Sequence, residues 1–247
     1  MIIIRYRELW LKGKNRIHFE KALQRNIQEC LTKNNIPFSK VWRTQGRIII
    51  FTNTECPQLQ YVFGIGSFSY AKEYSLDFEE IKTQVLKLYT QGTFRITCKR
   101  MQDYFLSSTD LEKEIGAYVV EKTNAKVKLK YPDINIQIEI FNEHSYIFTE
   151  SILGSGGLPI TKEPHVVLLL QDKNSIQAGI QMMKRGCNLN VYKEKDIDYS
   201  ELKKYEYGFH IKELSNYPNE NTVVVVSDTL KTIKEYPFFV FRPLIIQ

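Results

Sequence analysis

The chain has 247 residues, of which 43% are hydrophobic, and a formal net charge of +6. That composition can build two or three small cores, and no run of about 18 apolar residues is present to span a bilayer, so no membrane association is expected. Cys30, Cys56, Cys98 and Cys187 are scattered, as are the four histidines; this fits reduced thiols rather than a disulfide or zinc framework, and no metal is expected. The opening segment MIIIRYRELW lacks the apolar core and small-residue cleavage site of a secretory signal, and a cytoplasmic location is expected.

Charge is unevenly placed. Residues 1–50 carry eleven Lys/Arg against Glu8, Glu20 and Glu29, a local charge of +8 that exceeds that of the whole chain. Such concentration is the footprint of a polyanion-binding face. A solvated basic surface gives the same pattern, and charge alone leaves the two readings level. Within this segment residues 2–6 read as a strand, and Asn15 is placed to cap the helix that follows. Phe19, Ala22, Leu23, Ile27, Cys30 and Leu31 recur at three- and four-residue steps, giving one apolar face that takes Cys30 into a core. Asn34-Asn35 ends the helix; strands follow at Val41-Trp42 and, after Gly46, at 47–51. This β-α-β-β order predicts a small α+β unit with its helix on one face of an antiparallel sheet. The segment LKGKNR (11–16) sets Lys12, Lys14 and Arg16 beside Gly13 at the helix entrance, where cations, backbone N–H groups and the helix dipole converge on a phosphate.

A second unit is expected over 56–161. Asp77 with Glu80 opens a helix whose apolar stripe is Phe78, Ile81, Val85 and Leu88. Residues 94–98 alternate as a half-buried strand that runs into Lys99-Arg100. Thr109 with Glu112 reads as a capping box opening a helix through Leu111, Ile115 and Val119. Ile134, Ile136, Ile138 and Ile140 alternate with Asn135, Gln137 and Glu139, the clearest strand pattern in the chain. Residues 146–149 close a hairpin after Asn142-Glu143. Arg95, Lys99, Arg100, Lys126, Lys128 and Lys130 can line one edge of this unit.

Gly154-Ser155-Gly156-Gly157-Leu158-Pro159 invites a phosphate-loop reading, but a glycine-rich string with no helix after it is weak. A turn or close-contact role is expected. Residues 165–186, HVVLLLQDKNSIQAGIQMMKRG, read as a buried strand, a tight turn and a helix, the arrangement in which α/β proteins hold phosphate. The turn is Gln171-Asp172-Lys173-Asn174, without glycine and with a carboxylate where the anion would lie. The scaffold of a nucleotide site is expected without its working parts.

Eight segments occur in order: RYRELWLKGKNR (5–16), GRIIIF (46–51), VFGIGSFSYA (62–71), FRITCKR (94–100), EIGAYV (114–119), YPDINIQIEI (131–140), GSGGLPI (154–160) and AGIQMMKRG (178–186). Together they resemble the tRNA 4-thiouridine synthetases, also called tRNA sulfurtransferases. VVVVSDTL (223–230) and FFVFRPLI (238–245) look like further family pieces after a shortened link. The resemblance implies an α+β N-terminal half, made of a ferredoxin-like domain (1–55) and a THUMP domain (56–161), followed by a reduced α/β pyrophosphate-loop-like domain (162–247). It implies that the first two domains bind tRNA and measure from the 3′ CCA end to a target uridine. In the family the third domain activates that uridine with ATP, and a cysteine persulfide delivers sulfur. Carried onto matching positions, Lys12, Lys14, Arg16, Arg95, Lys99, Arg100, Gly156, Gly157, Leu158 and Pro159 become the candidate RNA contacts. Where Arg7 stands the family usually has glycine.

The third domain departs further. The family's Ser-Gly-Gly-x-Asp-Ser loop aligns with Leu170-Gln171-Asp172-Lys173-Asn174-Ser175, and only Ser175 matches. Gln171 and Asp172 replace the glycines that let backbone approach a pyrophosphate, and Asp172 adds like charge, worth roughly several kcal/mol in a partly buried site by Coulomb's law. No cysteine follows Cys187, itself read as a packed thiol at a strand start. Strands at 166–170, 187–192, 222–226 and 238–241 still suffice for a small α/β layer. The expected function is a tRNA-binding protein for the acceptor stem and 3′ CCA end, acting in tRNA thiolation beside a separate tRNA-modifying enzyme and as a homodimer. No catalytic residue and no cofactor are assigned to it. The alternatives are an active synthetase that takes Mg-ATP at a rebuilt or partner-supplied site, and a structural dimerisation module with incidental RNA binding. Trp42, Tyr70, Tyr104 and Phe105 are candidate base-stacking platforms, with packing the simpler reading for each.

Overall fold

The computed structural model describes residues 1–6, 8–44, 46–161 and 164–245. Strand β1 (Ile2–Arg5) leads through a 3₁₀ segment, Glu8–Asn15, into helix α1 (Arg16–Lys33). Strands β2 (Lys40–Thr44), β3 (Arg47–Phe51) and β4 (Ser67–Tyr70) follow. Asn15 stands at the helix entrance as expected, but its side chain makes no capping bond; the preceding 3₁₀ turn already carries the chain into the helix. Asn34 closes the helix, and Asn35 takes φ 54°, a conformation Asn tolerates better than most residues.

The second unit consists of β5 (Lys72–Tyr74), α2 (Phe78–Leu88), β6 (Phe94–Arg100), α3 (Ser108–Thr123), β7 (Ile134–Phe141) and β8 (His144–Phe148). Its sheet runs β5-β8-β7-β6 with β6 and β7 parallel. Asp77 accepts from Glu80 N at 2.7 Å, the cap read from the sequence. The α3 cap differs: Ser107 accepts from Asp110 N at 3.1 Å, two residues before the expected Thr109. The segment holds two overlapping capping signatures. Glu112 is taken from the second one because its carboxylate accepts Cys98 N of β6 at 2.8 Å. Asn142 and Glu143 both adopt positive φ in the β7–β8 hairpin, as a two-residue turn matched to strand twist requires.

Strand β9 (Ile152–Leu153) then returns to the first sheet, which runs β2-β3-β1-β4-β9 and is antiparallel throughout. Period-two alternation buries this sheet on both faces. Ile2, Ile4, Ile48 and Ile50 face Leu23, Ile27 and Leu31 of α1, whereas Ile3 and Ile49 face Phe141, Tyr146 and Phe148 of the second sheet. Each fully buried side chain of this size contributes about 1.5–3 kcal/mol. The expected division after residue 55 falls inside the first core. Cys56, Leu59, Val62, Ile65 and Phe68 are packed there, because β1 needs β4 as its second neighbour.

The third unit has β10 (His165–Leu170), α4 (Asn174–Lys184), β11 (Asn188–Lys193), a short α5 (Ser200–Lys203), β12 (Val224–Val225) and β13 (Val240–Phe241). Its four strands are all parallel, in the order β11-β10-β12-β13. Its core also takes Phe63 and Ile160 from outside the unit, and Phe63 stacks on Tyr205 at 4.9 Å. Among the described residues no helix is long and apolar enough to cross a membrane.

Candidate nucleic-acid interface

Strand β6 turns Phe94, Ile96 and Cys98 into the core under α2 and α3, so Arg95, Thr97 and Lys99 share the opposite face. Two of the candidate cations are tethered. Arg95 Nη1 donates to Leu129 O at 3.1 Å, and Arg100 Nη1 donates to Tyr104 O at 3.1 Å. The Nε of each is buried without a hydrogen-bond acceptor. Lys99 is exposed; partial burial, then the Arg47 charge, holds its ammonium below the usual lysine range.

At the helix entrance Lys14 is exposed, while the Lys12 side chain and all of Arg7 lie outside the described residues. Arg16 is engaged elsewhere: its Nε donates to Glu20 Oε1 at 2.6 Å, and Arg43 approaches Glu20 Oε2 at 3.5 Å. Glu20 also accepts the Tyr6 hydroxyl at 2.5 Å; burial, then this bond, pushes Tyr6 up to about 12. Lys14 and Lys99 are therefore the candidate cations most open to an incoming anion.

Between the first two sheets lies a group that periodicity did not single out. Glu139 of β7 accepts Arg5 Nε at 2.7 Å and Arg47 Nε and Nη2 at 2.8 and 3.1 Å. Arg5 also donates to Ser69 Oγ at 3.0 Å and lies over the Phe148 ring. Burial would raise the Glu139 carboxyl, but the hydrogen bonds and charges of Arg47 and Arg5 outweigh it and hold the group below the usual carboxylate range. The bridge fixes the second unit on the first, with two arginines against one carboxylate beside Lys99. The available signal was an arginine at the end of one isoleucine run and at the start of another, Arg5 and Arg47.

The stacking candidates divide the same way. Trp42 packs against the joint between the sheets, Tyr70 accepts Cys56 N, and the Tyr104 hydroxyl donates to Leu76 O. Phe105 alone of the four is largely exposed.

The glycine-rich string joins the units. Gly157 N donates to Glu8 Oε1 at 3.0 Å, Leu158 N to Lys184 O at 2.9 Å, and Gly64 N to Gly156 O at 2.8 Å. Gly157 has φ +71°, and a Cβ there would overlap the Lys184 carbonyl. Pro159 is buried, and Asn26 of α1 donates to Ile160 O at 3.0 Å. Gly156, Gly157 and Leu158 thus place polar backbone groups on protein neighbours, and Pro159 is buried beside them. This is the close-contact role expected of the string.

The strand–turn–helix of the third unit is likewise satisfied from within. Ser175 Oγ accepts Gln171 N at 3.0 Å and Asp172 N at 3.2 Å, while Asp172 Oδ1 accepts Asn174 N at 2.8 Å and Ser175 N at 3.2 Å. The N–H groups that would cradle a phosphate are thus bound to side chains of the loop itself. Gln171 is further tied to Glu194 and Tyr236, and Tyr236 to Asp228, which Arg242 contacts at 3.2 Å. A nucleotide polyphosphate does not fit residues 170–175 in this arrangement, because it would have to displace a carboxylate of the same sign. Cys187 is buried in the core of this unit, and burial raises its thiol.

Comparison with known proteins gives the family. A model of the ThiI ferredoxin-like domain matches residues 1–69, and a THUMP-domain model matches residues 76–150. A probable tRNA sulfurtransferase of Thermococcus kodakarensis is 33% identical over 95% of this chain and 67% of its own length. This chain belongs to the tRNA sulfurtransferase family. Further relatives of that name are covered to between 50% and 58% of their length, so the chain spans from about half to two thirds of the curated relatives it matches. PH1313 from Pyrococcus horikoshii Ot3 superposes with a TM-score of 0.84 at 30% identity, covering 100% of this chain and 94% of that one. A 4-thiouridine synthetase in complex with RNA and bound ATP gives a TM-score of 0.64 at 32% identity over 78% of this chain and 52% of its own. The fold is therefore a ferredoxin-like and a THUMP domain followed by a small α/β domain, as the sequence resemblance implies.

Proposed function

We propose that this chain binds tRNA at the acceptor stem and 3′ CCA end and serves tRNA thiolation without adenylating the uridine itself. The contrast between its halves carries the reading. Residues 1–69 and 76–150 match the family's ferredoxin-like and THUMP models, whereas Asp172 caps the turn where the family's phosphate loop aligns. Lys14 and Lys99 supply phosphate contacts, joined by Lys12 at the helix entrance, and such contacts weaken as salt rises. Unpaired bases of the CCA end are read by stacking and edge contacts in the cleft between the first two domains, with Phe105 available as an exposed ring. Residues 156–159 hold the domains together instead of touching RNA. The protein acts as a homodimer and hands its tRNA to a separate enzyme.

A second reading is an active synthetase whose ATP site is rebuilt or supplied by a partner subunit. The cluster of Asp228, Tyr236 and Arg242 at the carboxyl ends of the parallel strands favours it, since open α/β sheets take ligands there. The deciding experiment measures binding to total tRNA and to tRNA trimmed of CCA at two salt concentrations, with a parallel Mg-ATP titration. Tighter binding to intact tRNA with no ATP affinity supports the first reading. ATP binding that disappears in Ser175→Ala supports the second, and equal weak binding to both RNAs overturns both.

A further inference from the structure

The THUMP domain carries a groove that its own fold leaves unfilled. In the sheet order β5-β8-β7-β6, strand β6 is an edge. Phe94 N donates to Lys126 O at 3.0 Å and Lys128 N to Phe94 O at 2.9 Å, so residues 126–128 begin a further strand beside it, parallel to β6. The pairing stops after this bridge. Arg95 Nη1 holds Leu129 O, and Tyr131 takes φ 53° as the chain turns back to β7. Along β6 the backbone groups of alternate residues face the same side, so Ile96 shares the outer edge with Phe94. Cys98 N, next on that edge, is capped by Glu112. Among the described residues nothing pairs with the outward backbone of Ile96 between them.

Where residues 126–128 leave β6, a groove of about 560 Å³ opens against α3. Ile96, Gly116, Ala117, Val120, Val127 and Leu129 are among its lining. Val127 is 51% and Leu129 68% exposed, so these side chains face solvent instead of a core. Gly116 stands in the middle of α3, where glycine costs about 1 kcal/mol relative to alanine. A Cβ at Gly116 would meet nothing within 4 Å. Neither the helix nor the packing calls for glycine there; its effect is to keep the groove open. The rim is basic. Lys113, Lys126, Lys128 and Lys130 are exposed, and none forms a salt bridge among the described residues. The nearby carboxylates are already engaged, Glu112 with Cys98 N, Glu121 with Lys122 and Asp133 with Thr93.

We infer that this groove is the docking site for an extended acidic segment of a protein partner, which seats an apolar side chain over Gly116 and sets its carboxylates against the lysine rim. Its backbone pairs with Ile96 and continues the strand that residues 126–128 begin, so hydrogen bonds give affinity and the groove gives selectivity. A lysine rim attracts either kind of polyanion, and the aliphatic floor decides between them. A base needs hydrogen-bonding partners for its edges, whereas a peptide carries apolar and anionic side chains on one backbone. The inference rests on the reading that the chain serves a separate enzyme, and it names the surface by which that enzyme holds it.

The test titrates the full chain with a fluorescein-labelled peptide of alternating leucine and glutamate residues, followed by fluorescence anisotropy. Peptides with lysine in place of glutamate, or serine in place of leucine, are the controls. Saturable binding of the first peptide is expected, with each control weaker by about tenfold or more, the effect of losing one buried apolar side chain or the charge match. Gly116→Leu fills the groove and should weaken the peptide by a similar factor while leaving the thermal midpoint unchanged or higher. Replacing Lys126, Lys128 and Lys130 together by alanine changes only exposed positions and should also weaken it and flatten its salt dependence. Amide resonances of Ile96, Gly116 and Val127 should shift as the peptide is added. The inference is overturned if the acidic peptide does not saturate, if Gly116→Leu binds it unchanged, or if tRNA displaces it and Gly116→Leu loses tRNA affinity, which would make the groove an RNA surface. tRNA binding by the unmutated chain is measured separately, so failure of the tRNA-binding reading is distinguished from failure of the docking site.

Discussion

Replacing Glu139 by alanine removes a carboxylate that ties the ferredoxin-like and THUMP domains together. Three charge-assisted hydrogen bonds go with it, from Arg5 Nε, Arg47 Nε and Arg47 Nη2. The side chains are 6% exposed for Glu139, 4% for Arg47 and 15% for Arg5, so solvent cannot take over the two guanidinium groups without opening the joint. Breaking one partner of a buried ion pair costs about 3–5 kcal/mol, and the upper half applies here because two cations are left uncompensated. Glu139→Gln keeps one acceptor but leaves the same two cations uncompensated, so it should recover only about 1.5–3 kcal/mol of that loss, the value of one hydrogen bond to a charged group. The arginines hold the folded Glu139 carboxyl below its usual range. Its contribution is therefore fully present above the unfolded carboxylate pKa and is lost as pH falls through the folded one. Urea unfolding followed by tryptophan fluorescence at neutral and acid pH measures both effects. A loss below about 1 kcal/mol for Glu139→Ala, or a wild-type-to-mutant difference that does not shrink in acid, would refute the assignment of the bridge as the domain joint.

Lys12→Ala with Lys14→Ala should weaken tRNA binding and lower the slope of log K against log salt by about two, roughly one for each phosphate no longer neutralised; filter binding across a salt series reads this directly. Gly157→Ala should destabilise the protein by about 2 kcal/mol or more, since φ +71° strains alanine and its Cβ overlaps the Lys184 carbonyl; thermal unfolding measures it, and an unchanged midpoint would place the loop elsewhere. Isothermal titration with Mg-ATP should show no binding to the native chain. Gln171→Gly combined with Asp172→Gly removes the Asp172 carboxylate and frees the N–H groups of Asn174 and Ser175, and any ATP affinity should appear first in that variant.

Patterns that depend on near neighbours in the chain were legible. The α1 stripe, the Asp77 cap, the isoleucine alternation of β7 and the strand–turn–helix at 165–186 all rest on spacing, and spacing is local. The ordered family segments extended that reading to the order of domains. Where two local signals competed, the sequence could not rank them: Ser107 and Thr109 both open a capping signature, and Glu112 was withdrawn from one of them by the backbone of a distant strand.

Other features were settled only by long-range contact. Glu139 looked like one more polar position on an alternating strand until Arg5 and Arg47, 134 and 92 residues away in the chain, closed on it. Arg16 read as a phosphate ligand, yet it binds the buried Glu20. The glycine string read as a turn or close contact with no partner named, and folding supplied Glu8, Gly64 and Lys184. The sequence determined by itself the α1 stripe, the β7 alternation and the strand–turn–helix at 165–186, and that the turn at 171–174 lacks glycine, because these follow from side-chain type and local period. Tertiary structure alone decided which charges are spent on neighbours and which stay open, because pairing and desolvation are set by what packs alongside.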